Sequence, residues 1–486
     1  MYKHKYHIMP PKGWLNDPNG SCYYKGLYHI FFQYSKDDVL GGLKSWGHYV
    51  STNLVDFEFK GEAVFPDSNY DKDGAYSGTA YVTEEALELF YTGNVKYPGN
   101  YDYINEGRGH NVLFIQSKDG LEFTDKTCLL TNADYPSNMS CHVRDPKIFK
   151  EKDNYYMLLG ARTRDSKAAF LLYESKDRKK WTLNKSYISK GEFGYMWECP
   201  DYFELNGQSV FSFCPQGLES SLDRFANVYQ SGYIMKDASK FDLVAQTNEE
   251  LEKEIKLEDF VEWDYGFDFY APQTFKGEDN NIYLVAWAGV PDATYGNELS
   301  IKEGWQHSMT LVRRLEVKNN KIYQIPVISD DKEYFDKTFS ELEVTKLENK
   351  ESLIKTNLYA NINIEFEDNT KDKSENNENI DNNDKNNVDF ILKFNEDLYL
   401  KYLAKSSTFS MEYKNNTGDG RDLRRIKLDK LKNLSVFIDG CIVEVYINSG
   451  EYVMTTRYYP GKVEITLKLI NGENIILKNI NAWKVR

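Results

Sequence analysis

Short aromatic and aliphatic runs alternate with polar turns through the first 330 residues of the chain. The runs are too short for helices, are rich in Tyr, Phe and Val, and end at Gly, Asn or Asp, which is typical of β-strands. One layout, a polar turn followed by such a strand, recurs at intervals of roughly 55 to 75 residues. Its five copies are KGLYHIFFQY (25–34), EALELFYTGN (85–94), KDNYYMLLGA (152–161), NGQSVFSFCP (206–215) and EDNNIYLVAW (278–287). The pattern predicts an all-β fold built from five similar units.

A second pattern, a Ser/Asp-rich turn that ends in an aromatic residue, follows several of these strands. Its copies are STNLVDFEF (51–59), QSKDGLEF (116–123), ESKDRKKW (174–181) and MKDASKF (235–241). Each unit therefore has room for about four strands, the size of a propeller blade. We predict a five-bladed β-propeller over residues 1–330. A protein rich in β-sandwiches whose spacing is coincidental is the alternative that the repeats leave open.

The pattern of aromatic and polar residues changes after residue 330. Residues 331–350 are highly charged and partly helical in pattern, which predicts a linker, and alternating strand patterns over 351–486 predict a β-sandwich domain. Within it, residues 368–387 are almost entirely Asn, Asp, Lys and Glu, which predicts a mobile polar loop. A tolerated hairpin insertion explains that loop better than a functional acidic segment does.

Composition excludes several classes of function. A hydrophobic content of 41% with 15% aromatic residues indicates ample core, and a net charge of −15 argues against nucleic acid or an anionic membrane as the main partner. We find no apolar run of signal-peptide or membrane-spanning length. The six cysteines lack disulfide-like spacing, so we expect free thiols and a cytoplasmic location. The seven histidines lack metal-ligand spacing and no Gly-rich nucleotide motif occurs, so we expect neither metal nor cofactor.

Three acidic residues occupy equivalent places in the repeats. Asp17 in GWLNDPNG, Asp145 in CHVRDPKIF and Glu198 in GYMWECPDYF each precede the repeated strand by ten or eleven residues. Ser77 of AYSGTA and the segment DFYAP (268–272) hold the same place in the second and fifth units. Taken alone, NDPNG would be a surface turn. In a propeller, however, these positions fall on the innermost strands, so we expect the three carboxylates to converge around the axis.

Converging carboxylates cannot all ionise freely, so their surroundings must separate their pKa values. From sequence neighbours, we expect Asn16 and Asn19 to favour the ionised form of Asp17. Arg144 should do the same for Asp145. Glu198, in contrast, sits in the apolar run MWECP (196–200), which favours the protonated form. A retaining glycosidase uses an ionised nucleophile, a charged neighbour and a protonated acid as its catalytic groups.

Several of these motifs, taken in order, resemble those of glycoside hydrolase family 32, which comprises invertases, sucrose-6-phosphate hydrolases and fructan hydrolases. They are WLNDPNG, FFQY, WGHYVS, YSGT, VRDPK, WECPDYF and DFYAPQT. The resemblance covers the first 330 residues strongly and also implies the C-terminal β-sandwich. It implies that Asp17 is the nucleophile, Glu198 the acid/base and Asp145 the transition-state stabiliser. It further implies a fructosyl pocket lined by Asn16, Gln33, Trp46, Tyr76, Ser77, Arg144 and Trp287.

Within the family, the chain most resembles bacterial sucrose-6-phosphate hydrolases, through FGYMWECPDYF, CPQGLE, VYQSGY and FDFYAPQT. Where many invertases carry a Trp at the rim, residues 40–42 are Leu-Gly-Gly and leave space. We hypothesise that Lys44, with Arg108 or His110, contacts a phosphate there. A solvated loop charge is the alternative for Lys44.

The resulting hypothesis is a retaining β-fructofuranosidase that acts on sucrose 6-phosphate and sucrose. A plain invertase, a fructan hydrolase and a sugar-binding propeller without catalysis remain the competing hypotheses. A homo-oligomer also stays open, since the second domain could pack against a second subunit as well as against the propeller.

Overall fold

The computed structural model describes residues 1–330, 332–348, 350–367, 388–472 and 475–486. The loop predicted at 368–387 therefore lies outside the described residues. Strands dominate the described part of the chain, which confirms the all-β class. Its helices are short: α1 (Asn248–Glu254), α2 (Glu298–Lys302), α3 (Val327–Asp330) and α4 (Lys332–Thr338), with 3-10 turns at Asn132–Asp134, Leu257–Asp259 and Asn416–Gly418. None of the described helices is long and apolar enough to cross a membrane.

Consecutive strands form the first sheets of the described chain. The first sheet contains β1 (Gly13–Tyr24), β2 (Leu27–Ser35), β3 (Ser45–Ser51) and β4 (Glu58–Val64). The second contains β5 (Ala75–Val82), β6 (Leu87–Lys96), β7 (Arg108–Ser117) and β8 (Thr127–Leu130). The third contains β9 (Met139–Glu151), β10 (Asn154–Thr163), β11 (Ala168–Ser175) and β12 (Thr182–Ile188).

The next two sheets follow the same plan. The fourth contains β13 (Met196–Leu205), β14 (Gln208–Gln216), β15 (Gly232–Asp237) and β16 (Val261–Glu262). The fifth contains β17 (Tyr270–Lys276), β18 (Ile282–Trp287), β20 (Arg313–Lys318) and β21 (Lys321–Pro326), while the short β19 (Trp305–Gln306) instead pairs in parallel with β1. The repeated aromatic runs of the sequence are the second strands of these five sheets: β2, β6, β10, β14 and β18.

The first strands of the five sheets form a closed ring. β1 contacts β5, β5 contacts β9, β9 contacts β13, β13 contacts β17, and β17 returns to β1. Antiparallel pairing runs outward from each of these strands. Side chains at equivalent positions of the five inner strands therefore face one central space.

The C-terminal region contains two larger sheets. One has the strand order β22 (Phe339–Glu341), β34 (Leu477–Val485), β25 (Tyr359–Phe366), β30 (Asn433–Asp439), β31 (Ile442–Ile447) and β32 (Tyr452–Arg457). The other has the order β23 (Val344–Lys346), β24 (Glu351–Thr356), β33 (Ile465–Asn471), β26 (Phe390–Phe394), β27 (Leu398–Leu403), β28 (Thr408–Tyr413) and β29 (Leu423–Lys427). Buried residues of both sheets, such as Ile362 and Leu392, share one hydrophobic core, so the sheets pack face to face.

Part of the segment 331–350, predicted as a linker, is built into these sheets. β22 pairs with β34 and β23 pairs with β24, so sheet structure begins at Phe339. The Phe335 ring of α4 also packs 4.5 Å from that of Phe339 and 5.3 Å from that of Trp483. Strands of three residues carry too little alternation to be recognised among so many charges.

A buried charge cluster joins the two regions. Arg313 of β20 donates through Nη2 to Asp264 (3.0 Å) and to Glu444 of β31 (2.8 Å). His7 contacts Glu444 at 3.1 Å and Asp439 at 2.8 Å, and all five side chains are fully buried. Burial raises the pKa of Glu444, but Arg313 and His7 outweigh it and bring that pKa to about 2. Since each charge has an opposite partner, separating the regions would leave buried charges unpaired.

Candidate active site

The inner strands surround one cavity of ≈ 780 Å³. The three acidic residues predicted to converge, Asp17, Asp145 and Glu198, all line it. Most of the predicted sugar-binding residues line it as well: Asn16, Gln33, Tyr76, Ser77, Arg144 and Trp287. Residues far apart in the chain are thus brought to a single site.

A break in strand pairing places each key side chain. The pairing register shifts in the inner strand of every one of the five sheets, close to Asp17, Ser77, Asp145, Glu198 and Tyr270 respectively. Positive φ values accompany three of these breaks, at Asp145 (62°), Cys199 (47°) and Ala271 (50°). Bulges re-aim side chains, and left-handed non-Gly residues cluster at functional sites.

Asp17 is held by hydrogen bonds from Ser77, Asn16 and Gln33. Ser77 Oγ donates to its Oδ2 at 2.5 Å, and Asn16 Nδ2 donates to its Oδ1 at 3.2 Å. Burial raises the pKa of Asp17, and these hydrogen bonds oppose that rise without cancelling it. The expected help from Asn19 is wrong, because its Nδ2 meets no acceptor within the described chain, while its Oδ1 accepts the backbone N–H of Gly78 at 3.2 Å.

Glu198 has polar neighbours. Its carboxylate accepts hydrogen bonds from Arg144, from Gln216 Nε2 (2.6 Å) and from the Tyr270 hydroxyl (2.5 Å). The apolar setting expected from its sequence neighbours is therefore wrong. Strand alternation turns the adjacent Trp197 away into the core, where its side chain is fully buried.

Asp145 has a pKa that is strongly raised by its surroundings. Burial raises the pKa of Asp145 to about 7, against the favourable charge of Arg144, and the negative charge of Glu198 adds to the rise. Arg144 Nε lies 3.9 Å from Asp145, while its Nη2 contacts Glu198 directly. The expectation that Arg144 keeps Asp145 readily ionised is therefore wrong, since Arg144 gives its close contact to the other acid.

Two proposed contact residues do not line the cavity. Trp46 is fully buried behind it, donates from Nε1 to the backbone oxygen of Tyr76 (3.1 Å), and packs against Tyr91. His110 is buried as well, between the rings of Tyr76 (5.9 Å) and His142 (5.7 Å). Both side chains support the wall that Tyr76 forms and do not face its contents.

Lys44 does line the cavity but already has neighbours there. Its Nζ donates to Ser35 Oγ at 3.1 Å and lies 4.8 Å from the centre of the Trp14 ring. Burial lowers the pKa of Lys44 to about 8, although the negative charge of Asp17 opposes this. Lys44 therefore belongs to the part of the cavity near Asp17.

Two arginines line the cavity with donors to spare. Arg162 lies over the Tyr195 ring (4.7 Å) and donates from Nη2 to Ser166 (2.9 Å). In both Arg162 and Arg108, the Nε–H is buried and meets no acceptor within the described chain. Both also flank His142, whose pKa falls to about 3 through burial and through the positive charges of its arginine neighbours. This part of the cavity is strongly electropositive.

The sequence analysis missed several lining residues. Gln216, Tyr229 and Tyr270 lie within CPQGLE, VYQSGY and FDFYAPQT, so those motifs were the available signal. The quoted motifs also contain Trp14, His142, Tyr195 and Asp268, whereas no motif marks Arg162, Tyr295 and Asn297.

Comparison with known proteins gives concordant results. The family model described as glycosyl hydrolases family 32 N-terminal domain matches residues 7–326, and the family 32 C-terminal model matches residues 331–484. The chain is 32% identical to a sucrose-6-phosphate hydrolase of Bacillus subtilis, an alignment that covers 99% of this chain and 94% of that protein.

Solved structures agree in fold. The sucrose-6-phosphate hydrolase of Lactobacillus gasseri matches with a TM-score of 0.79 at 28% identity, covering 100% of this chain and 93% of that one. A mutant β-fructofuranosidase of Bombyx mori in complex with sucrose matches with a TM-score of 0.79 at 27% identity, covering 100% and 94%.

Proposed function

Since this chain belongs to glycosyl hydrolase family 32, we propose that it is a retaining β-fructofuranosidase that hydrolyses sucrose 6-phosphate, and also sucrose. The products are fructose and glucose 6-phosphate, or fructose and glucose. One observation carries the proposal: Asp17, Asp145 and Glu198 line a single cavity although they come from three different sheets.

In the proposed mechanism, Asp17 attacks the anomeric carbon of the fructosyl unit while Glu198 protonates the departing oxygen. Glu198 then removes a proton from the water that releases fructose, and Asp17 is regenerated. Asp145 hydrogen-bonds to fructosyl hydroxyls and stabilises the oxocarbenium-like transition state. Supporting contacts are the Ser77 hydrogen bond that orients Asp17 and the Gln216 and Tyr270 hydrogen bonds that orient Glu198.

The finer architecture belongs to the same proposal. We assign residues 1–330 to a five-bladed propeller, and the closed ring of five inner strands supports this number. The strands from Phe339 onward would form the β-sandwich, with 331–338 as the connection. A cytoplasmic location is proposed because all six cysteines are free in the structure.

For the substrate's phosphate, we propose Arg108 and Arg162 as the contacts, which revises the sequence-based choice of Lys44. Both arginines line the cavity, and guanidinium groups bind phosphate in a bidentate fashion. His110 is dropped because it does not line the cavity, and Lys44 is assigned to the neighbourhood of Asp17.

Kinetics on one preparation test the phosphate contacts. Arg108→Gln and Arg162→Gln should each lower kcat/KM for sucrose 6-phosphate about tenfold or more, which is about 1.4 kcal/mol. For sucrose the change should stay within about twofold. Arg164→Gln is the matched control, since Arg164 is exposed and does not line the cavity. Equal losses on both sugars would refute the assignment, as would a selective loss on sucrose 6-phosphate in Lys44→Ala.

The function itself is tested by turnover of the wild-type protein and of Glu198→Gln. We expect the wild type to prefer sucrose 6-phosphate over sucrose and Glu198→Gln to lose most turnover while still binding sugar. Equal kcat/KM for the two sugars would indicate a plain invertase, and activity on fructans alone a fructan hydrolase. A wild-type protein that binds sugar without turnover would indicate a binding module.

A further inference from the structure

A loop of the C-terminal region, residues 414–422 between β28 and β29, packs directly on the wall of the cavity. Gly296 in that wall donates its backbone N–H to the oxygen of Asp419 at 3.0 Å. A Cβ at Gly296 would lie only 2.8 Å from Asp419 Oδ2, so the Asp419 side chain also packs against this glycine. The wall on this side is segment 290–297, which contributes Val290, Pro291, Asp292, Ala293, Tyr295 and Asn297 to the cavity lining.

Arg421, from the same loop, binds this wall through most of its guanidinium donors. Its Nε and Nη2 each donate to one oxygen of Asp268 at 2.8 Å, and Nη2 also donates to Asn297 Oδ1 at 3.1 Å. Its Nη1 donates to the backbone oxygen of Gly296 at 3.0 Å, and the guanidinium lies 4.4 Å from the centre of the Tyr295 ring. The Arg421 side chain is fully buried, so water does not compete for these contacts.

The residues that Arg421 holds are themselves part of the cavity lining. Asp268, Tyr295 and Asn297 all line it. Asp268 also lies two residues before Tyr270, whose hydroxyl donates to Glu198. A single side chain of the C-terminal region thus ties together one wall of the cavity and the start of the strand that orients a proposed catalytic acid.

We infer that Arg421 is a positioning residue for substrate binding, and that the C-terminal domain completes the active site and does not merely stabilise the first domain. This inference rests on the proposed function. The fixed geometry of the guanidinium fork is essential to it, because a lysine offers charge without the planar set of donors.

Another inter-domain ion pair supplies the control. Arg425 Nε donates to Asp223 at 2.5 Å, which also joins the two regions, but neither residue lines the cavity. If inter-domain contacts act only by holding the domains together, Arg421→Gln and Arg425→Gln should differ in thermal stability alone. If Arg421 positions the wall, only its variant should change the kinetic constants of folded protein.

The experiment measures kcat, KM and Tm of the wild type, Arg421→Gln, Arg421→Lys and Arg425→Gln with sucrose 6-phosphate. We expect kcat/KM of folded Arg421→Gln to fall about tenfold or more, mainly through KM, and Arg421→Lys to restore little of it. Arg425→Gln should stay within about twofold of the wild type. If Arg421→Gln does not fold, the comparison is made with Arg421→Lys and with the charge-neutral pair Arg421→Gln/Asp268→Asn.

Two results would overturn the inference: folded Arg421 variants with wild-type kcat and KM, or an equal kinetic loss in Arg425→Gln. Failure of the proposed function is separately visible in this assay, as absence of wild-type turnover.

Discussion

Replacing Ser77 by alanine removes the hydrogen bond that most directly controls Asp17, together with the one that Ser77 Oγ accepts from Gln33 Nε2. The Ser77 hydroxyl donates to Asp17 Oδ2 at 2.5 Å. Burial raises the pKa of Asp17, and the Ser77 hydrogen bond is the largest influence that lowers it. Removing the hydroxyl should therefore raise the pKa of Asp17 further. A nucleophilic carboxyl must be ionised, so activity should be lost from the acid side of the pH profile.

The size of the effect follows from the strength of that hydrogen bond. Hydrogen bonds to charged groups contribute about 1.5–3 kcal/mol, and 1.36 kcal/mol corresponds to one pH unit. The acid limb of kcat/KM should therefore move upward by about one to two pH units in Ser77→Ala. Because the protonated form then persists to higher pH, the loss should be greatest at low pH and should shrink toward a plateau at alkaline pH.

The assay is the pH dependence of kcat/KM for sucrose 6-phosphate between pH 4 and 9. Ser212→Ala is the matched control, because Ser212 is buried, accepts the Trp263 indole N–H at 2.9 Å, and does not line the cavity. It should lower stability without moving the acid limb. Coincident acid limbs for Ser77→Ala and the wild type would refute the role given to this hydrogen bond, whatever happened to the height of the plateau.

Other predictions test the remaining charges and the corrected tryptophan. Trp46→Phe should lower Tm, because the variant loses the hydrogen bond to the Tyr76 backbone oxygen and part of a buried ring. KM for sucrose should stay within about twofold of the wild-type value. A selective rise in KM at unchanged Tm would contradict this prediction. His7 is buried, but its contacts with Asp439 and Glu444 outweigh the effect of burial and raise its pKa. The contribution of protonated His7 to the stability of the folded protein is therefore complete below pH 6.5 and is lost as the pH rises through the raised pKa. The Tm of His7→Gln should lie below that of the wild type by an amount that shrinks as the pH rises from 5 to 9, as measured by calorimetry. A difference that stays constant over this range would contradict the role given to protonated His7. Asp145→Asn should abolish most turnover, yet its Tm relative to the wild type should rise between about pH 4 and 7 and level off above, because only the wild type must ionise a buried acid with a pKa of about 7. Parallel Tm curves across this range would refute the reasoning.

The features predicted well from sequence are those set by local pattern. The five aromatic runs coincide with β2, β6, β10, β14 and β18 because alternation and flanking turns are read over about ten residues. Asp17, Asp145 and Glu198 share a cavity because each stands at a fixed distance before such a strand, on the inner strand of its sheet. The repeat spacing alone therefore predicts that these three acids share one site.

What the sequence could not supply is the identity of partners in space. Adjacent residues in a strand face opposite sides, so Trp197 gives no information about the surroundings of Glu198. The family resemblance implies a place for Trp46 in the sugar pocket, yet its strand turns the side chain into the core. Arg421 carries no local signal at all, since its partner Asp268 lies 153 residues away in the chain.

Arg144 interacts with two of the three acids, Asp145 and Glu198, and this sharing determines the charge state of the site. Its close contact goes to Glu198, and Asp145 is left with a weaker share of the same charge and a pKa of about 7. Below about pH 7 Asp145 therefore holds a proton within this group of carboxyls. Interacting acids titrate together, so the steps of the pH profile belong to the cluster and not to single residues. A retaining mechanism needs this state, with one carboxyl group free to attack and one proton available to the leaving oxygen. Burial of Asp145 beside the negative charge of Glu198 is what keeps a proton at this site up to about pH 7.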